Sequence, residues 1–263
     1  MPRLSPPSFE LLPGSDDSPV ILHVPHGARD IPPHVRSGIV LDDDALEGEL
    51  DRITDGHTAE LADVAAELAA LTPWRFVNRL SRLVVDPERF PDGREEMLAV
   101  GMGAVYTRTT QRGVLRVDGI DPEPLIDAYF RPYAQAMTDA VADRLAAVGR
   151  AVIIDVHSYP SAPLPYELHG SGPRPPVCLG TDSFHTPPEL VAAARDAFGE
   201  VGLDSPFSGT YVPLKFYRAE PRVSALMVEI RRDTYMTEPG GPAGSGLSRL
   251  ASALARLVDS VPR

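Results

Sequence analysis

Three short, nearly unbroken apolar runs constrain this chain most: "VILHV" at 20–24, "AVIIDVHSY" at 151–159 and "RVSALMVEI" at 222–230. A strand with one wet face alternates apolar and polar residues, so runs this continuous read as strands buried on both faces. Such strands need helices above and below the sheet, and the intervening segments supply them. "TAELADVAAELAAL" at 58–71 repeats apolar positions at three-to-four spacing, and "EPLIDAYFRPYAQAMTDAVADRLAAV" predicts a long helix over 123–148. A proline-started helix follows "TPPEL", and "LSRLASALARLVDSV" closes the chain as an amphipathic helix. "PPVCLGTD" adds a strand, and "WRFVNRLSRLVVD" is expected to give two short strands around a turn. Strands alternating with helices predict a three-layer α/β fold whose central sheet is mostly parallel or mixed.

No repeat or linker divides the sequence, so one domain over 1–263 is expected, with 1–17 as a loose arm. Residues 87–121 show little periodicity and carry four glycines between 101 and 119, which predicts a long loop near a site. The net charge of −12 argues against nucleic acid as a partner, because phosphate binding needs a basic face. An anionic substrate would require arginines gathered locally against that field. The single cysteine, Cys178, excludes an internal disulfide and a thiolate-rich zinc site. No apolar run reaches the roughly 18 residues of a membrane span, and the first residues show no secretory signal. A cytoplasmic protein without a membrane partner is the expectation.

Polar residues stand where the buried strands end. His26 follows the first run within Pro25-His26-Gly27, His157 lies near the end of the second, Glu229 near the end of the third, and Asp55 near a helix start. In open α/β sheets ligands bind at the carboxyl ends of strands. Two histidines and one carboxylate make a catalytic metal set with a position left for water, and Glu229 is then free to act as general base. Asp155 precedes His157 by two residues and shares its face in an extended chain, so it can orient a ligand histidine from behind. His23, His34, His169 and His185 read as structural. His57 is left open between the wall of a site and the surface of a helix start.

"HVPHGARDIP", "TDGHTAELAD", "SRLVVDPER", "YFRPY", "DVHSYPS" and "MVEIRRDTYM", in this order, resemble the N-formylglutamate amidohydrolase family over about residues 18–236. The resemblance implies a zinc-carboxypeptidase-like fold and hydrolysis of a small acidic N-acyl amino acid, typically N-formylglutamate. It implies zinc, or another transition metal, on His26, Asp55 and His157, with Glu229 as the catalytic glutamate. Arg82, Asp86 and Arg89 fall in the family's "SRxVxDxNR" segment. There an arginine is expected to grip the substrate carboxylate with paired hydrogen bonds, and Asp86 to support the site from behind. Arg218 and Arg131 are further candidates for that clamp.

Two departures stand out. The family's "DLNRP" is "DPERF" here, so Glu88 replaces an asparagine, and "GTYVPLKFYR" places Lys215 about where a histidine is usual. Both lie in segments expected to touch substrate. No G-x-S-x-G elbow or nucleotide-binding glycine loop is present. The rival from another class is a non-catalytic binding or regulatory protein that keeps the fold; it should carry no stoichiometric metal.

Overall fold

The computed structural model describes residues 8–262 and contains a seven-stranded mixed sheet in the order β1-β3-β2-β4-β7-β5-β6. The strands are β1 (Phe9–Leu12), β2 (Val20–Val24), β3 (Trp74–Asn78), β4 (Ala151–Tyr159), β5 (Val177–Gly180), β6 (Val201–Leu203) and β7 (Val223–Arg231). β3, β2, β4 and β7 run parallel, β1 and β5 pair antiparallel with β3 and β7, and β6 is parallel to β5. The helices are α1 (Pro33–Arg36), α2 (Asp43–Ile53), α3 (Thr58–Leu68), α4 (Glu123–Leu125), α5 (Arg131–Val148), α6 (Pro188–Phe198) and α7 (Gly246–Ser260). The three-layer α/β architecture expected from the strand and helix order is the one found.

The two faces of the sheet are covered differently. Val20, Leu22 and Val24, with Val152, Ile154 and Val156 and their β7 counterparts, pack under α3, α6 and α7. Ile21, Ile153 and Ala225 face the other way, against Tyr133, Met137 and Val141 of α5. Side chains alternate faces along a strand, so His23, Asp155, His157, Met227 and Glu229 share the α5 side with Ile21, Ile153 and Ala225. That face is apolar where α5 covers it and turns polar toward the carboxyl ends. The switch places the site.

Several local expectations are corrected. Part of the predicted arm is ordered: Phe9–Leu12 forms an edge strand on β3, held by Phe9 stacked on Phe76 at a 5.3 Å centroid distance. Residues 1–7 lie outside the described chain. The second strand expected within 79–86 is absent. After β3 the Ser81 N–H donates to the Asp30 carbonyl at 2.9 Å, and Arg82 turns back on Asp86 at 2.6 Å, which ends sheet pairing. The 123–148 helix is continuous but includes a π-helical turn at Ile126–Phe130 between α4 and α5. The 87–121 segment is mostly turns, with one 3₁₀ helix at Glu96–Val100.

Candidate metal centre

β2 ends at Val24, and the chain turns through Pro25-His26-Gly27. The Asn78 amide donates to the Pro25 carbonyl at 2.9 Å, and the Asp55 N–H donates to the His26 carbonyl at 3.0 Å. The second bond ties the turn between α2 and α3 to the end of β2. That turn is sharp because His57 takes a left-handed backbone (φ 62°), breaking what would otherwise be one long helix. Thr58 then donates its hydroxyl to the Asp55 carbonyl at 2.7 Å. Gly27 lies against this arrangement, and a Cβ there would come within 2.8 Å of the Thr58 hydroxyl oxygen. Gly27→Ala is therefore expected to displace Thr58 and destabilise the protein by about 1–3 kcal/mol. Denaturant unfolding checks this, and an unchanged midpoint would mean the turn yields freely.

These ties bring three sequence-distant residues together. His26 Nδ1 and His157 Nδ1 are 3.3 Å apart, and the Asp55 Oδ2 lies 3.1 Å from His157 Nδ1 and 3.8 Å from His26 Nδ1. Four-coordinate bonds of about 2.0–2.2 Å place ligand atoms about 3.3–3.5 Å from one another, so the triangle has the span of a metal's ligand set. All three residues are buried. Arg232 fixes the carboxylate, donating to Asp55 Oδ1 at 3.0 Å and leaving Oδ2 for the imidazoles. Burial opposes ionisation of Asp55, yet its bond to His157 and the Arg232 charge hold it down to about 2.

Behind the triangle each imidazole meets a carboxylate. His26 Nε2 contacts Asp86 Oδ1 at 2.9 Å, and His157 Nε2 lies 3.1 Å from Asp155 Oδ1. Carboxylates in this position set the tautomer and aim of ligand histidines. Glu88 also comes within 4.8 Å of ligand atoms of both histidines, forming a second grouping. It approaches them from the Nε2 side, where Asp86 already engages His26. The Nδ1 side, closed by Asp55, is the more compact donor set.

Glu229 stands directly across from His157 in the β4–β7 register, 8% exposed, and its Oε2 has no hydrogen-bond partner. Burial pushes its carboxyl up to about 8; Asp55 adds to the rise, and His157 and Arg232 oppose it. An unpartnered carboxyl beside a metal-sized donor set has the placement of a proton carrier.

The arginines divide. Arg82 is buried and committed, its Nη2 donating to Asp86 Oδ2 at 2.6 Å and its Nε to Tyr106 at 3.0 Å. Arg89 is a quarter exposed, lies 3.4 Å from Asp86 and 3.7 Å from Glu95, and faces two cavities. One cavity, of about 170 Å³, holds the His26, Asp55, His157 and Glu229 group. The other, of about 730 Å³, adjoins it across Glu88, Arg89 and Met227. Arg218 corrects an expectation: it lines neither cavity. Its backbone N–H donates to His185 Nε2 at 2.8 Å and its guanidinium pairs with Asp182 at 3.2 Å, so it is spent away from the cluster. Arg131 borders the larger cavity but pairs with Glu123 and Asp127.

Sequence reasoning passes over Arg232, and marks Glu88 only as a departure within a substrate-facing segment. Arg232 lies three residues past Glu229, just beyond β7, and that proximity was its only signal. His23, read as structural, is buried and bonded to Asp155 at 2.8 Å and Tyr133 at 2.6 Å, so it braces the carboxylate behind His157. His57 sits at the start of α3 against Glu60 and the Gly241 carbonyl.

The sequence profile of N-formylglutamate amidohydrolase matches residues 18–236. An N-formylglutamate amidohydrolase from Ralstonia eutropha JMP134 superposes with a TM-score of 0.78 at 22% identity, covering 96% of each chain. A gene product of Agrobacterium tumefaciens superposes with a TM-score of 0.67 at 17% identity, covering 95% of this chain and 93% of its own. At these identities the structural likeness speaks to the fold. No curated protein matches the chain.

Proposed function

Because the chain belongs to the N-formylglutamate amidohydrolase family, we propose that it is a zinc-dependent amidohydrolase splitting an N-acyl, in particular N-formyl, amino acid into a carboxylic acid and the free amino acid. One observation carries the reading: two imidazole Nδ1 atoms and a carboxylate oxygen converge within 3.8 Å, beside a buried carboxyl whose Oε2 is unpartnered. His26, Asp55 and His157 would hold the ion, and the nitrogen–oxygen donor set suits zinc while admitting other transition metals. When bound, the ion supplies Lewis acidity to the scissile carbonyl and to water.

This chain's residues do the rest. Glu229 takes a proton from the attacking water as oxygen adds to the carbonyl carbon. It returns the proton to the amide nitrogen as the C–N bond breaks, so acid and amine leave together. Asp86 bonds the His26 imidazole and fixes its tautomer, and the Asp155 charge lies 3.1 Å from His157 Nε2. Arg89, on the wall shared by both cavities and less tightly bound than Arg82, would hold the substrate's α-carboxylate. Glu88, a departure from the family's asparagine, borders the same space.

Release of formate, acetate or succinate from the corresponding N-acyl amino acids, using protein of measured metal content, tests the reading. Formyl hydrolysis that a chelator abolishes and zinc restores is the expected result. Metal-free purification with no chelator-sensitive release would favour the non-catalytic binding protein instead.

A further inference from the structure

Donor accounting around the buried imidazoles leaves one carboxylate short. Asp86 accepts from His26, Arg82, Tyr106 and the Glu88 backbone N–H. Asp155 accepts from His23 at 2.8 Å and from the Tyr211 backbone N–H at 3.2 Å. Asp55 accepts from Arg232 and meets His157. Among the described residues the Glu88 carboxylate accepts from no guanidinium and no backbone N–H. Its Oε1 lacks any hydrogen-bond partner. The Oε1 lies 3.5 Å from His23 Nδ1, and the Oε2 lies 3.2 Å from His157 Nε2 and 3.6 Å from His26 Nε2. His157 Nε2 makes no well-aimed bond, and His23 Nδ1 and His26 Nε2 are already bonded to Asp155 and Asp86. A histidine that holds a metal is neutral and has one N–H to give, so in the metal-loaded protein these rings cannot satisfy both Glu88 oxygens.

The arginines nearby turn to other carboxylates: Arg82 bonds Asp86 and Arg232 bonds Asp55, while Arg89, which would hold the substrate's α-carboxylate, lies 3.4 Å from Asp86. Glu88 is only 16% exposed at its side chain and lies in the wall between the metal-centre cavity and the 730 Å³ cavity. A carboxylate this enclosed and this poorly paired favours a cation or an N–H donor from a ligand and disfavours an anion. The larger cavity also carries Lys215, the chain's single lysine, which is exposed at the rim with its ammonium over the Phe216 ring at 5.4 Å. An exposed ammonium is well served by water and discriminates less between ligands.

Resting on the amidohydrolase reading above, we propose that the 730 Å³ cavity receives the side chain of the substrate's amino acid and that Glu88 makes this a pocket for a cationic side chain, a guanidinium or ammonium, in place of an acidic one. The two departures noted in the sequence, Glu88 and Lys215, thus meet on one cavity, with the buried one setting the preference.

The test compares N-formyl-L-arginine with N-formyl-L-glutamate on the zinc-loaded protein, and free L-arginine with free L-glutamate by calorimetry. The arginine compound should be favoured in kcat/KM by about tenfold or more, and free arginine should bind more tightly than free glutamate. Glu88→Gln, which keeps shape and removes charge, should erase most of that ratio without lowering metal content, while Lys215→Met leaves it. A preference for glutamate that Lys215→Met removes and Glu88→Gln does not would overturn the assignment. If neither formyl compound is hydrolysed, the amidohydrolase reading falls. The calorimetry then still decides the pocket: tighter arginine supports it, and equal or reversed binding ends it.

Discussion

Glu229→Gln is expected to lower kcat/KM by about a hundred- to ten-thousandfold while metal content stays at the wild-type level. Glutamine keeps the volume of a buried side chain, and Glu229 is not among the three converging donor atoms, so neither packing nor metal retention should change. What is lost is the group that takes the proton from water and passes it to the leaving nitrogen. Metal analysis and kinetics on the same sample check the claim, and wild-type turnover would remove Glu229 from the mechanism. The substitution has a second signature in metal-free protein. Burial raises the Glu229 carboxyl to about 8 from an ordinary 4.5, so the folded state holds this proton more tightly than the unfolded chain does. The resulting stabilisation is complete below the ordinary value and is lost as pH rises through about 8. Glutamine carries no such dependence. Metal-free Glu229→Gln should therefore gain on wild type by about 1–4 kcal/mol between pH 6 and pH 9. Melting temperatures at the two pH values read it, and parallel shifts in both proteins would refute it.

How much of this was visible in the sequence follows from how local each cause is. β2, β4 and β7 are legible because double burial demands continuous apolar runs, and their polar ends mark His26, His157 and Glu229. Asp155 behind His157 follows from strand periodicity alone. The edge strand Phe9–Leu12 is not legible, since its formation depends on the aromatic face that β3 offers from far along the chain. The family segment drew attention to Arg82, Asp86 and Arg89, but composition gave no sign that Asp86 holds Arg82 so closely. Glu88 was hidden differently. Its departure from the family's asparagine is plain in the sequence, but only the geometry shows it enclosed by three imidazoles. Arg218 failed for the converse reason: nothing local announces that Asp182 and His185 hold it elsewhere.

His157→Ala is expected to weaken metal binding by more than about a hundredfold, because it removes one donor of a three-residue set whose spacing leaves no substitute on the Nδ1 side. The deletion also leaves Asp55, Asp155 and Glu88 facing a hole, and buried carboxylates that lose a neighbouring imidazole destabilise the fold. Lost metal alone would therefore be ambiguous, and Asp155→Asn resolves it. That variant keeps His157 but removes the charge 3.1 Å from its Nε2, so metal affinity should fall by about ten- to a hundredfold, less than for the alanine variant. Competition against a chelator of known affinity ranks the proteins. The order wild type, then Asp155→Asn, then His157→Ala is what ligation through Nδ1 requires. The same titration on Glu88→Gln separates the two donor groupings around these histidines. An ion held on the Nδ1 side by Asp55 is indifferent to that change, whereas an ion on the Nε2 side would lose its only carboxylate not already bonded to another imidazole or guanidinium. Full zinc retention by His157→Ala would mean that no metal site is built on this residue at all.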